Sequence, residues 1–236
     1  MKVLQFSGGM DSLATLFVKR KEWSDITVLW CNTGSAYPET RELAEKVQQL
    51  VPNFCEVPSF KSSWEAQYGI AVDVVPERAT LLGSLIHTPP AETIYNSHLR
   101  CCAANIWAPL DAASRELGAT VIIRGQRAEE SNKAPIKSGH RDASGILYEF
   151  PIEDWTRDEV MAYCLKVCPE LFPSYYLNGE NSSHDCWDCI AYLKENVQRI
   201  RNLPDHNRKV VTARLVAYNA TVRKELAPLE ELANVH

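Results

Sequence analysis

The stretch Ser7-Gly8-Gly9-Met10-Asp11-Ser12 combines residue types that could hold a phosphate or another oxyanion. It lies between two apolar runs, and this pattern predicts a strand, a tight turn and a helix. Paired glycines let the backbone approach a ligand closely, and the first N–H groups of a helix attract anions. Ser7 and Ser12 would add hydroxyl donors, while Asp11 would cap the helix or hold a cation or a substrate hydroxyl. A plain capped turn is the alternative.

Cysteines are the second source of chemistry, and four of the eight fall into two close pairs. Cys101 and Cys102 are adjacent, and Cys186 and Cys189 form a CxxC. A single zinc ion usually takes two CxxC-like turns, which adjacent cysteines do not supply. An iron–sulfur cubane instead offers each thiolate its own iron atom. The pattern therefore favours a [4Fe-4S] cluster, with zinc and unrelated core or redox thiols as alternatives.

The other four cysteines show no spacing typical of metal ligands. Cys164 and Cys168 lie four residues apart on a predicted helix, where they are expected to be buried as small hydrophobic residues. Cys55 lies in a predicted strand. Cys31 ends another predicted strand close to the expected ligand-binding edge of the sheet, so it is the additional thiol of most interest.

Alternating strands and helices must position these groups. Five apolar runs predict the strands of a mostly parallel sheet: 3–6, 26–30, 54–57, 120–123 and 146–150. Helices between them predict a three-layer α/β fold with helices on both faces of the sheet. Ligands in such folds bind at the carboxyl ends of strands. Thr33 and Gly34 follow the second strand, so they would lie at the same ligand-binding edge as the turn after the first strand.

The last part of the chain reads as a helical tail. We predict one α/β domain over residues 1–192 and a C-terminal helical segment over 193–236. Leu215, Val222 and Leu229 recur at heptad spacing, broken by Pro228, and this favours a homo-oligomer contact or a helix packed on the core. Basic residues of the tail could bind RNA or DNA, although a solvated helix face is the common alternative; they are Arg199, Arg201, Arg208, Lys209 and Arg214.

Composition excludes several classes of protein. Of the 236 residues, 45% are hydrophobic and 23% are charged, which is typical of a globular domain. The net charge of −5 disfavours a general nucleic-acid coat. No apolar run is long enough to cross a membrane and no secretory leader is evident, so a cytoplasmic protein is expected, with its cysteines outside a disulfide frame.

Several segments resemble one family. The stretch 7–12 resembles the pyrophosphate loop of the adenine-nucleotide alpha-hydrolase superfamily. Residues 33–40, Thr-Gly-Ser-Ala-Tyr-Pro-Glu-Thr, resemble a segment of phosphoadenylylsulfate and adenylylsulfate reductases. Residues 124–127 with Ser131, and residues 151–160, resemble two further segments of that family. The split cysteine pairs are similar to those of its iron–sulfur members.

The resemblance implies an enzyme that reduces adenylylsulfate or phosphoadenylylsulfate to sulfite and AMP or 3′,5′-ADP. Thr33 and Gly34 would lie under the nucleoside, and Arg124, Arg127 and Arg141 would neutralise the anion. A [4Fe-4S] cluster on Cys101, Cys102, Cys186 and Cys189 would help to hold the substrate, and thioredoxin or glutathione would supply electrons. The family's C-terminal nucleophilic cysteine has no match here, because no cysteine follows Cys189. Cys31 or a partner would then supply the thiol.

Two other functions stay open. One is ATP-dependent adenylation and sulfur transfer to a nucleobase or another acceptor, in which Mg²⁺ would accompany the ATP. The other is a non-catalytic adenine-nucleotide sensor. The unmatched nucleophile and the basic tail favour sulfur transfer, whereas the segments at 33–40, 124–127 and 151–160 favour the reductase.

Overall fold

The computed structural model describes residues 1–130, 134–180, 185–194 and 196–233. Ser131, one of the predicted family positions, lies outside these residues. The strands are β1 Lys2–Phe6, β2 Ile26–Asn32, β3 Phe54–Pro58, β4 Ile70–Val72, β5 Tyr95–Ser97, β6 Val121–Ile123 and β7 Leu147–Glu149. The helices are α1 Met10–Val18, α2 Pro38–Leu50, α3 Lys61–Tyr68, α4 Leu81–Ile86, α5 His98–Cys102, α6 Ala108–Glu116, α7 Arg157–Val167, α8 Asn196–Asn202 and α9 Asp205–Ala233.

Within the described ranges, the main sheet contains five parallel strands in the order β3-β2-β1-β6-β7. The central strand β1 places Leu4 between Val28 of β2 and Ile123 of β6. The predicted α/β fold with a five-stranded parallel sheet is confirmed. Because the strands are parallel, the turns that follow β1, β2 and β6 lie at one edge of the sheet.

Both faces of this sheet are buried, which explains why its strands are apolar at consecutive positions. Leu4 and Phe6 pack in one core cluster, together with residues of α1 and α7. Val3 packs in another cluster, which includes Leu110 of α6. Successive side chains of β1 therefore point into two different cores, as the two-residue period of a strand requires. Helices cover both faces of the sheet, which confirms the predicted layers.

Local signals set where two helices begin. Pro38 is the first residue of α2, a position where its missing N–H costs no hydrogen bond. Thr156 caps α7, because its side chain accepts a hydrogen bond from the backbone of Glu159. The Glu159 carboxylate accepts from the Thr156 backbone N–H at 2.7 Å and completes the predicted capping box. Helix α7 packs against α1.

The chain folds into two compact units, and neither is continuous in sequence. The first contains residues 1–59 and 106–185, with the main sheet; the second contains residues 60–105 and 186–236. In the second unit β4 and β5 form a parallel pair, and α5 contacts both strands. The predicted division after residue 192 stays a prediction.

Helices α8 and α9 form the end of the second unit. Pro228 lies inside α9, which continues to Ala233, so the helix does not break at this proline. Proline removes one backbone hydrogen bond, and the surrounding residues are exposed to water that can replace it. Leu229 is 61% exposed, and the predicted oligomer contact stays a prediction. None of the helices in the described residues is both long and apolar enough to span a membrane.

Candidate functional site

The predicted oxyanion turn joins β1 to α1 through a dense set of serine contacts. Gly8 has a positive φ of 84° and Gly9 is the residue just before the helix. The Ser7 hydroxyl accepts from the Gly9 N–H at 3.3 Å, and the Ser12 hydroxyl donates to the Gly9 carbonyl at 2.9 Å. The two serine hydroxyls are 3.2 Å apart. The turn therefore presents hydroxyl groups beside the positive end of a nine-residue helix.

Close packing holds this turn in place. A Cβ atom on Gly8 would lie 2.6 Å from Cγ2 of Thr40, in α2. A Cβ atom on Gly125, two residues after β6, would lie 2.5 Å from the Asp11 carbonyl carbon. Only glycine permits these approaches. The first backbone N–H of α1, on Met10, donates to the hydroxyl of Tyr176 at 3.4 Å. The turn is thus supported by α2, by the segment after β6 and by Tyr176.

Asp11 belongs to a group of carboxylates around one arginine. Nε of the buried Arg127 donates to Asp11 at 2.6 Å, and its Nη1 donates to Glu129 at 3.1 Å. Glu130 lies 4.0 Å from the same guanidinium. Arg127 is therefore committed to three carboxyl groups, and it positions Asp11. Its predicted role in neutralising a substrate anion stays a prediction.

Glu130 also lies close enough to Asp11 for the two carboxyl groups to affect each other's pKa. Burial and the Asp11 charge raise the pKa of Glu130 to about 7, against the opposing charge of Arg127. Burial raises the pKa of Asp11 as well, although Arg127 opposes the shift. Two carboxyl groups this close cannot both ionise easily. The pair therefore holds a proton near neutral pH, with Glu130 as its main carrier.

Arg124 lies at the same edge of the sheet, directly after β6. Its Nε donates to the side chain of Gln5 at 2.7 Å, and its guanidinium stacks on Tyr148 at 5.5 Å. Burial lowers the pKa of Arg124 from its ordinary value. The side chain is held by β1 and β7, and its predicted role with the anion stays a prediction.

Thr33 and Gly34 follow β2 at the same edge as the oxyanion turn. The Asn32 side chain accepts from the Gly34 N–H at 2.9 Å, and the Thr33 hydroxyl accepts from the Ser35 N–H at 3.3 Å. Gly34 has a φ of 77°, and a Cβ atom there would meet none of the described residues within 4 Å. The turn leaves open space above Gly34, as a bound nucleoside would require. Binding there stays a prediction.

Arg141 does not join this edge. It forms an isolated antiparallel bridge with Leu147, and its Nη1 donates to the Gly145 carbonyl at 3.0 Å. Leu147 begins β7 and pairs with Val121, the first residue of β6. The turn at residues 142–145 folds Arg141 back onto the starting ends of the strands, opposite to the ends that precede the oxyanion turn.

Three further thiols of the first unit are buried, those of Cys31, Cys164 and Cys168. Burial raises the pKa of Cys31 to about 11, so its thiol is protonated at neutral pH. Cys164 and Cys168 are fully buried, as predicted. The Cys164 thiol donates to the Met10 carbonyl at 3.6 Å, which ties α7 to the start of α1.

All four predicted cluster ligands lie in the second unit. Cys101 and Cys186 are buried, and Cys102 and Cys189 are partly buried. The side-chain amide of Asn105 donates to the Cys101 thiol at 3.7 Å, and the Cys102 thiol is 3.8 Å from the hydroxyl of Tyr192. Burial raises the pKa of Cys189 to about 11, and the charge of Lys61 opposes that shift.

The four cysteines suit a single metal ion and an iron–sulfur cluster to different degrees. Within the described ranges, no three His, Cys, Asp or Glu side chains are arranged to hold a metal ion. A single zinc ion therefore has no ready ligand set there. A cubane bonds each thiolate to a different iron atom, and four cysteines in one compact unit beside a buried lysine supply suitable chemistry. The cluster stays a proposal.

Much of the basic tail is engaged in contacts within the second unit. Arg199 is buried, and Arg214 forms an ion pair with Glu65 at 2.7 Å. Arg208 pairs with Asp205 and donates to the Arg201 carbonyl. These contacts reduce the positive charge available to RNA or DNA, and nucleic-acid binding stays a prediction.

The structure adds residues that the sequence analysis did not identify as part of a site. They are Tyr176 and Glu130 around the oxyanion turn, and Lys61 and Asp188 around the cysteines. Asp188 was identifiable in principle, because it lies inside the CxxC. The other three come from distant parts of the chain and have no local pattern.

Comparison with known proteins agrees with this geometry. The sequence profile of the phosphoadenosine phosphosulfate reductase domain matches residues 2–55 and 50–178. A phosphoadenosine 5′-phosphosulfate reductase of Proteus mirabilis (strain HI4320) is 27% identical over 166 residues, which cover 68% of this chain and 60% of that protein. The corresponding protein of Photorhabdus laumondii is 26% identical over 174 residues, covering 72% and 64%. The chain thus spans less than two thirds of the length of these curated relatives.

A solved structure supports the fold. The crystal structure of phosphoadenylyl-sulfate reductase from Candida auris, in a phosphate complex, superposes with a TM-score of 0.52. The two chains are 17% identical, and the superposition covers 78% of this chain and 80% of that one. The sheet, the turn after β1 and the profile match across residues 2–178 lead to one conclusion: the chain belongs to the phosphoadenosine phosphosulfate reductase domain family.

Proposed function

We propose that this protein is a sulfonucleotide reductase that binds adenylylsulfate or phosphoadenylylsulfate and releases sulfite and AMP or 3′,5′-ADP. The observation that carries the proposal is the turn after β1, where two serine hydroxyls lie 3.2 Å apart at the start of α1. Family membership supports the same substrate class.

The turn would hold the anionic end of the substrate. The Ser7 hydroxyl and the N–H groups at the start of α1 are neutral donors, reinforced by the helix dipole, and the buried Ser12 hydroxyl supports the turn through its bond to the Gly9 carbonyl. Because Gly8 and Gly9 have no side chains, the anion could approach the backbone of the turn closely. Asp11 is held by Arg127 and would orient a substrate hydroxyl or a cation.

The nucleoside would lie over Thr33 and Gly34, where the backbone leaves room. Arg124 would face the negative charge from the neighbouring strand end. Its contact with Gln5 fixes the guanidinium without neutralising it, so the positive charge stays available for an anion.

Reduction would require two thiols from a donor such as thioredoxin or glutathione. A donor thiolate attacks the sulfur of the substrate, and the bond between sulfur and the phosphate oxygen breaks, so the nucleotide leaves. A second thiol then attacks the donor sulfur that carries the sulfonate, and sulfite leaves as a disulfide forms. The two electrons gained by sulfur come from the two thiols, which release their protons. The raised pKa of Cys31 favours an external thiolate.

A [4Fe-4S] cluster would be held by the four thiols of the second unit, those of Cys101, Cys102, Cys186 and Cys189. When bound, it would supply a centre that helps to hold the anionic substrate, as the family resemblance implies. Asn105 would orient Cys101, and Tyr192 would contact Cys102.

ATP-dependent sulfur transfer is the second candidate, and one observation favours it. Asp11 and Glu130 form a carboxyl pair at the oxyanion turn, and carboxylates are suitable ligands for the Mg²⁺ that accompanies ATP. In this reaction the nucleotide would activate an acceptor oxygen, and sulfur would replace it.

Isothermal titration with adenylylsulfate, phosphoadenylylsulfate and ATP-Mg²⁺ tests both candidates. The reductase proposal expects a sulfonucleotide to bind most tightly and sulfite to appear when reduced thioredoxin is added. Tighter binding of ATP-Mg²⁺ without sulfite release would support sulfur transfer. Ser7→Ala combined with Asp11→Ala should weaken binding about tenfold or more, because donors and an orienting group are lost. Ser24→Ala, at an exposed position, is the control.

A further inference from the structure

Lys61 is an unusual residue for the interior of a protein. It is only 4% exposed, at the start of α3. Its ammonium donates to both carboxylate oxygens of Asp188, at 2.8 and 2.7 Å, and to Glu65 at 3.2 Å. Burying a charge is costly unless it is paired and hydrogen-bonded, and this lysine meets both conditions.

Asp188 is the third residue of the Cys186–Cys189 turn, in which the Cys189 N–H donates to the Cys186 carbonyl at 3.3 Å. Arg214 of α9 donates to the Asp188 carbonyl at 3.1 Å and lies 3.8 Å from its carboxylate. Residues of two helices, α3 and α9, therefore bind the side chain and the backbone of Asp188.

The set is closed by Glu65, which pairs with Lys61 at 3.2 Å and with Arg214 at 2.7 Å. Two cations and two anions thus form a balanced group, which we name the charge clamp: Lys61, Glu65, Asp188 and Arg214. Because the four charges sum to zero, the side chains can be partly or fully buried without leaving a net charge in the interior.

Its partners keep the lysine protonated in this buried position. Burial lowers the pKa of Lys61, but the charges around it, above all that of Asp188, outweigh that effect and raise it. Because Asp188 lies inside the CxxC, the ammonium lies beside the Cys186–Cys189 turn.

We infer that the charge clamp holds the Cys186–Cys189 turn in ligating position and keeps a positive charge beside that turn. This inference rests on the proposed cluster, and it adds residues that are not ligands. Outer groups that orient metal ligands typically contribute 10- to 100-fold to metal affinity. Lys61 and Asp188 are positioning residues in this sense.

The test compares anaerobically reconstituted full-length variants for the rate of iron release to a chelator and for reduction potential. Lys61→Met removes the ammonium. Lys61→Met with Asp188→Asn removes both charges of the main pair, so no unpaired buried charge is left to unfold the protein. Arg214→Gln is a milder variant, because its side chain is one quarter exposed. Lys46→Met, which breaks an exposed pair with Glu42, is the matched control.

The double variant is expected to fold, as measured by circular dichroism, and to release iron about 10- to 100-fold faster than the wild type. Lys61→Met alone should lower the reduction potential, because it removes a positive charge beside the Cys186–Cys189 turn, whereas the double variant loses one charge of each sign and should stay closer to the wild-type potential. Arg214→Gln should show a smaller change in the same direction, and Lys46→Met none.

Two other results would overturn the inference in different ways. A double variant with the iron-release rate of the wild type would reject the charge clamp while leaving the cluster in place. Absence of iron from the wild type and from Lys46→Met alike, under reconstitution, would reject the cluster itself and the charge clamp with it. Nucleotide titration is independent of both readouts.

Discussion

The oxyanion turn and the cysteine site are built in different ways. The turn depends on backbone: a positive φ at Gly8, a close approach at Gly125 and the start of α1. The cysteine site depends on side-chain charge, with Lys61 and Asp188 buried together beside the CxxC. The oxyanion turn should therefore be disrupted by adding an atom to one of its glycines, whereas the cysteine site should be disrupted by removing a charged group.

This difference also affects how the two sites respond to solution conditions. Glycine geometry does not titrate, and it is insensitive to salt. Buried ion pairs are screened only weakly, but they lose their balance when one partner is replaced. Substitutions at the two sites should therefore have different effects on iron content, stability and nucleotide binding.

Cys101→Ser should abolish the cluster, because a serine hydroxyl does not replace a thiolate ligand of iron. Iron per chain after anaerobic reconstitution, together with visible absorbance, measures this loss. Cys55→Ser, in β3, is the control and should retain full iron content. Equal iron content in both variants would remove Cys101 from the ligand set.

Gly125→Ala should be the most damaging change to the oxyanion turn. The new methyl group would meet the backbone of Asp11 at 2.5–2.6 Å, and backbone cannot move aside as a side-chain end can. We expect a loss of about 3 kcal/mol in the free energy of unfolding, together with weaker nucleotide binding. Urea denaturation and titration measure the two effects.

Gly139→Ala provides the comparison for that variant. In the part of the chain that the structure describes, no atom lies within 4 Å of its added methyl group, and its φ of 89° is what opposes the change. A cost of about 1 kcal/mol is expected. A similar cost at both glycines would mean that the contact with Asp11 does not constrain the turn.

Glu130→Gln should change how stability depends on pH. The carboxyl pKa is 4.5 in a reference state and about 7 in the folded protein, so the folded state holds more protons between these values. Stability of the wild type should therefore fall as pH rises through this window and level off above it. The variant should lack that loss, which is on the order of 1–2 kcal/mol after allowance for partial exposure.

Urea midpoints at about pH 5 and about pH 8 measure the difference for that variant. Glu42→Gln, at an exposed carboxylate, is the control and should follow the wild type. An unchanged pH profile in Glu130→Gln would show that Glu130 does not carry the proton of the carboxyl pair.

Thr156→Ala should have the smallest effect. It removes the cap of α7, which packs against α1 behind the oxyanion turn. A loss of about 1 kcal/mol in the free energy of unfolding is expected from the lost cap. Iron content should be unaffected, because α7 belongs to the first unit. A loss of iron in this variant would break the distinction between the two sites.

Local patterns predicted the first unit well because its signals are short in sequence. The run at 3–6, the glycines that follow and the Thr156 cap each act within a few residues, and the structure agrees with them. Arg141 illustrates the limit: its position depends on the turn at 142–145, which no periodicity specifies.

The second unit shows why the rest was not predictable. Lys61 and Asp188 are 127 residues apart, and their pairing depends on how the chain returns to the unit. Arg127 was predicted to neutralise a substrate anion, but in the structure it forms ion pairs with three carboxylates, those of Asp11, Glu129 and Glu130. Long-range charge pairing leaves no periodic trace in a single sequence.

The discontinuity of the first unit has a consequence during synthesis. Strand β1 pairs with β2 on one side and with β6 on the other, and β6 is translated only after the whole of residues 60–105. Until β6 has been made, β1 has one unpaired edge in the nascent chain. Such an apolar edge can pair with strands of other nascent chains and cause aggregation. Chaperone capture of the growing polypeptide would therefore be most needed before β6 emerges from the ribosome.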